Sequence, residues 1–158
     1  MLALVAVAMA GAGSLVAQDA DPAAVDDGGT SENLTGTLVV KAEGLESNEG
    51  RLRFVVFPSK DTFLKRPVQS GVVEIADQAG EWHAEDVPYG EYAVLVHHDV
   101  NDNGKMERHW YGKPKEPGGA SNNPKPRMGP PRWKDTVFVL DSPELTLKIQ
   151  VPYQRPDN

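Results

Sequence analysis

A chain of 158 residues with 39% hydrophobic and 7% aromatic content has room for one domain with a true core, and its 13 prolines and 15 glycines favour turns over long helices. The absence of Cys excludes disulfides, zinc–thiolate centres and cysteine nucleophiles. A formal charge of −7 argues against attraction of the whole protein to nucleic acid or to an anionic membrane.

The first stretch, MLALVAVAMAGAGSLVA (1–17), is apolar, rich in small residues and of signal-peptide length, with a cleavage site after Ala17. Its Ala and Gly content and short span favour a cleaved signal over a membrane anchor. Export to the periplasm or the extracellular space is the expectation, without membrane insertion after signal removal. The segment QDADPAAVDDGGTSEN (18–33) is acidic and lacks apolar periodicity, the composition of a flexible tether. Residues 34–152 form the domain, and 153–158 a tail.

Within the domain, apolar residues recur at every second position. In LTGTLVVKA (34–42), Leu34, Gly36, Leu38 and Val40 share one face; in RLRFVVF (51–57), Leu52, Phe54 and Val56 oppose Arg51 and Arg53. The stretch KDTFLKRP suits one helical turn, with Phe63 and Leu64 as a plug over one end of the sandwich and Pro67 as its stop. VVEIA (72–76) and EWHAE (81–85) are short strands joined by a turn. YAVLVHHD (92–99) is apolar on both faces and reads as central. TVFVL (136–140) and LTLKIQV (145–151) close the series. About seven short strands without a long helix predict an all-β fold, an antiparallel β-sandwich.

Between the central strand and the last two strands lies a long loop, residues 101–134. From Lys105 to Lys134 it carries eight Lys and Arg against two Glu. A loop of this length in a small domain is functional or disordered. Arg108, Lys113, Lys115, Lys125, Arg127 and Arg132 form a candidate patch for an acidic envelope polymer or an acidic protein surface, and nucleic acid is not expected. The bland alternative is a solvated loop whose arginines cap carbonyls.

Where this loop leaves the central strand the chain reads DVNDNGKME. Asp99, Asn101, Asn103, the Lys105 carbonyl and Glu107 fall at the alternating positions of an oxygen-ligand calcium loop, with Gly104 at its sharp turn. Position twelve holds Trp110 instead of a bidentate Glu, so a calcium site here is expected to be weak. The same residues also suit a polar turn in which Asp and Asn cap their own backbone. Zinc is disfavoured, because on a regular strand His97 and His98 point to opposite faces, with His98 inward.

For an enzyme, neither a nucleophile elbow nor a glycine-rich phosphate loop is present. A metal-dependent hydrolase built from His97 or His98, Asp99 and His109 is the rival reading. It requires two of those His to converge beside an open pocket. A noncatalytic binding or structural module is the favoured one.

Several motifs occur together in order. They are P-x-G-x-Y at Pro88, Gly90 and Tyr92, and H-D-x-N-x-N-G-K at His98, Asp99, Asn101, Asn103, Gly104 and Lys105. G-x-P-K-E follows at Gly112, Pro114, Lys115 and Glu116, then Ser121-Asn122-Asn123, then Gly129-Pro130-Pro131 before Trp133 and Asp135. The series resembles the bacterial family called domain of unknown function 2141 across residues 34–151. Glu107 and His109-Trp110 depart from that family's usual Asp and Asn-Phe. The resemblance implies a short exported protein and assigns no reaction. The P-x-G-x-Y turn also resembles transthyretin-like and carboxypeptidase-regulatory-like sandwiches, most of them accessory modules, although fold likeness does not transfer function. Ser121, Asn122 and Asn123 are candidate side chains for pinning the loop.

Overall fold

The computed structural model describes residues 34–109, 114–125, 127 and 129–152. The signal, tether and tail expectations, together with Trp110 and Lys113, lie outside the described residues. The strands are β1 (Thr35–Glu43), β2 (Arg51–Phe57), β3 (Gln69–Glu74), β4 (Gly80–Pro88), β5 (Gly90–Asp99), β6 (Gly118–Ala120), β7 (Phe138–Leu140) and β8 (Glu144–Gln150). One four-residue helix, α1 (Trp133–Thr136), precedes β7.

Two sheets face each other. The first has the order β4-β1-β8; the second runs β3-β2-β5-β6, with β7 paired to the start of β5. Pairing is antiparallel except between β1 and β8, which run parallel. The all-β sandwich expected from the alternation is therefore the fold, with one parallel pair that alternation alone could not reveal. The long loop is not featureless: it contributes β6, and α1 closes it.

The core follows from period-two patterning. Leu38, Val40 and Ala42 of β1 meet Leu52, Phe54 and Val56 of β2, Val94 and Val96 of β5, Leu140 of β7 and Ile149 of β8, all buried. Each such Val, Leu, Ile or Phe side chain contributes roughly 1.5–3 kcal/mol on burial. Trp82 stacks on Phe54 with ring centroids 5.7 Å apart and lies so close to Gly71 that a Cβ there would sit 2.1 Å from its indole nitrogen. Only glycine fits at that point of β3.

Strand β5 is apolar on both faces because its outer face carries a second layer. Phe57, Phe63 and Ala93 form a separate buried cluster, lined by Val55, Leu95 and Trp133. Phe63 meets Phe57 and Trp133 edge-on at 5.4 and 5.6 Å. Phe63 is thus a plug, but over the outer face of the second sheet. Leu64 does not share the role: its backbone turns left-handed (φ 62°) and its side chain is 45% exposed. Leu34, expected on the inner face, is also exposed, since it precedes the first paired residue of β1. Where β4 gives way to β5, the Tyr92 hydroxyl donates to the Pro88 carbonyl at 2.8 Å and fixes the turn that launches the central strand.

Candidate functional site

The alternation of β5 sends its two adjacent histidines apart. His98 points into the sandwich, where its Nε2 donates to the Glu49 carbonyl at 2.7 Å; its Nδ1 is buried without a hydrogen-bond partner. His97 lies on the outer face, with its Nε2 2.6 Å from Glu116 Oε2. The other Glu116 oxygen accepts the backbone N–H of Val100 at 3.1 Å. Glu116 is buried, so one carboxylate ties the far arm of the loop to both the end of β5 and the start of the loop. In the sequence Glu116 stands out only as the end of G-x-P-K-E and as one of the loop's two glutamates; nothing in its spacing pairs it with His97.

Asp99, the last residue of β5, is fully buried. Its Oδ1 accepts the N–H of Asn103 (3.1 Å), and its Oδ2 accepts both the N–H of Gly104 (2.8 Å) and Nε of Arg53. Arg53 stands opposite His97 on β2, and its Nη2 donates to Asp102 at 3.1 Å. Asp102 also pairs with Arg51 at 3.2 Å. Burial pushes the Asp99 carboxyl up, but the hydrogen bonds from Arg53, Gly104 and Asn103, with the Arg53 charge, outweigh it and hold the group below the ordinary carboxylate range.

The remaining residues of the calcium-type spacing are exposed, or half-buried in the case of Glu107, and bonded within the loop. Asn101 Oδ1 accepts the N–H of Asn103 (3.2 Å), and Asn103 Oδ1 accepts that of Lys105 (2.8 Å). The amide of Asn103 donates to Glu107 Oε1 at 3.1 Å. Gly104 turns left-handed (φ 77°), which frees its N–H for Asp99 without steric cost. Among the described residues, no three His, Asp or Glu side chains converge as metal ligands do.

Ser121, Asn122 and Asn123 join three parts of the fold. The buried Ser121 hydroxyl accepts the N–H of Val94 (3.1 Å) on β5 and donates to the carbonyl of Thr136 in α1. Asn122 donates to the Val137 carbonyl at 2.8 Å. The Asn123 amide donates to the Lys148 carbonyl (2.9 Å) and accepts the N–H of Gln150 (2.8 Å), in the manner of a neighbouring strand. Both asparagines are left-handed (φ 64° and 47°), a conformation Asn tolerates better than most residues.

The cations of the loop point outward. Lys105, Arg108, Lys115, Lys125, Arg127, Arg132 and Lys134 are exposed. Lys115 lies 3.8 Å from Glu107, and Arg127 lies 3.8 Å from Asp135. Lys125, Arg132 and Lys134 have no ion pair among the described residues. Pro124, Lys125, Arg127 and Asp135 line an open recess of about 330 Å³.

A family model described as "Uncharacterized protein conserved in bacteria (DUF2141)" matches residues 40–148, a span that holds every site residue above except Gln150. No curated protein and no solved structure matches the chain significantly.

Proposed function

Because the chain belongs to that bacterial family, we propose that it is an exported, noncatalytic β-sandwich module whose pinned loop offers a basic surface to an acidic polymer of the cell envelope. One observation carries this reading. The side chains Asp99, His97, Glu116 and Ser121 are engaged in holding the loop, while Lys125, which lines the recess, and Arg132 and Lys134 remain exposed without an ion pair among the described residues. A screening length of about 8 Å at physiological salt lets such a local patch act despite the overall charge of −7. The apolar residues 1–17 and the absence of Cys support export without reliance on disulfides.

The calcium spacing is read here as a loop whose cation is built in. The guanidinium of Arg53 reaches the Asp99 oxygen that a hard ion would need, and each Asp99 oxygen already accepts a backbone N–H. The hydrolase reading finds no support in His97 and His98, which diverge across β5.

The test is retention of the purified chain on immobilised heparin and on polyglutamate. Retention at low ionic strength, lost at high salt and lost in the triple variant Lys125→Ala, Arg132→Ala, Lys134→Ala, supports the proposal. No retention at low salt, or equal retention of the triple variant, overturns it.

A further inference from the structure

Among the described residues the sandwich has four sheet edges, and three are well guarded. At the β8 edge, Asn123 takes both hydrogen bonds that a further strand would make with Lys148 and Gln150. The β4 edge exposes Glu81, His83, Glu85 and Asp86, and carries a register shift near its end where Asp86 turns left-handed (φ 55°). The carbonyl of Glu85 is also taken, by the Gln69 side chain at 2.9 Å. Beyond β5 stand only the three-residue strands β6 and β7. Charges, bulges, short strands and covering groups are the usual ways by which proteins prevent edge-to-edge pairing.

Strand β3 is the least protected, with Glu74 as its one charged residue. Its six residues, QSGVVE, pair among the described residues with β2 alone, in unbroken register, without Lys, Arg, Pro or a left-handed residue. Val72 is 46% exposed on its outer face, and Val68, just before the strand, is 54% exposed. We propose that the bare β3 edge is a self-association surface, on which a second copy of the chain adds its own β3 antiparallel to form one continuous sheet.

The sequence of the edge is self-complementary about Val72. With a twofold axis there, Val72 lies beside its own copy and Ser70 faces Glu74 of the copy, so hydroxyl meets carboxylate and no like charges oppose. Continued one step beyond the strand, the register sets Val68 against the exposed Ala76. The outer face then reads as an apolar row interrupted by two Ser–Glu pairs. On the inner face Gly71 falls opposite Val73. Cross-strand pairs of these kinds stabilise sheets, and the two-sheet cores of the copies are left undisturbed.

Sedimentation velocity over a wide concentration range, with hydrogen exchange of residues 69–74, tests this. A monomer–dimer equilibrium is expected, with those amides protected at high concentration. Val72→Lys places two cations side by side and should abolish the dimer while keeping the far-ultraviolet circular dichroism of the fold, with a small loss of Tm because Val72 also stands opposite Arg53 on β2. Ser70→Lys sets a cation against Glu74 of the copy and should tighten dimerisation severalfold in low salt, a response only this register predicts. A monomer at every concentration, a dimer indifferent to Val72→Lys, or a dimer weakened by Ser70→Lys overturns the proposal.

Discussion

Replacing Arg53 by Met removes the one side-chain cation that touches Asp99 among the described residues, while leaving a stem of similar length on the outer face of β2. Asp99 is fully buried, whereas the Arg53 side chain is 28% exposed. Removing one partner of a fully buried pair costs about 3–5 kcal/mol. Solvent reaches this arginine and two backbone N–H groups remain on the carboxylate, so the loss here is about 2 kcal/mol. In a domain of this size that lowers Tm by about 8 °C. Urea denaturation of Arg53→Met, Asp99→Asn and the double variant would measure the coupling directly. A coupling energy above about 1 kcal/mol is expected. If the two single losses simply add, the guanidinium does not lock the loop and the reasoning fails.

Two further outcomes follow from the same contacts. The Asp99 carboxyl is held below its ordinary value of 3.8, so its contribution to stability is complete above that pH and is lost as pH falls through the lowered value. Asp99→Asn, less stable at neutral pH, should therefore show a flatter acid limb in urea midpoint against pH. Ser121→Ala leaves the buried N–H of Val94 without the hydroxyl acceptor, a loss of about 2 kcal/mol that should appear as a Tm drop of about 8 °C.

Much of the fold was legible because period-two alternation reports burial directly. ELTLKIQ announced β8, and YAVLVHHD announced a strand covered on both faces with its histidines diverging. What alternation cannot report is partnership. It placed Arg53 on the outer face of β2 but could not say that Asp99, 46 residues away in sequence, would end the neighbouring strand. The parallel placement of β8 beside β1 was invisible for the same reason. Strand β6 is Gly-Gly-Ala, with too little side chain to leave a pattern; it is a strand because Ser121 and the Pro117 carbonyl hold that stretch against β5. The Ser-Asn-Asn role in pinning was readable from residue type, yet its three targets emerge only from the assembled sheets.

Thermal melting of chelator-treated protein with and without millimolar calcium tests the central claim, that the loop is locked by Arg53 and its own amides. The account predicts the same Tm in both. A calcium-specific rise in Tm that Asp99→Ala abolishes would contradict it.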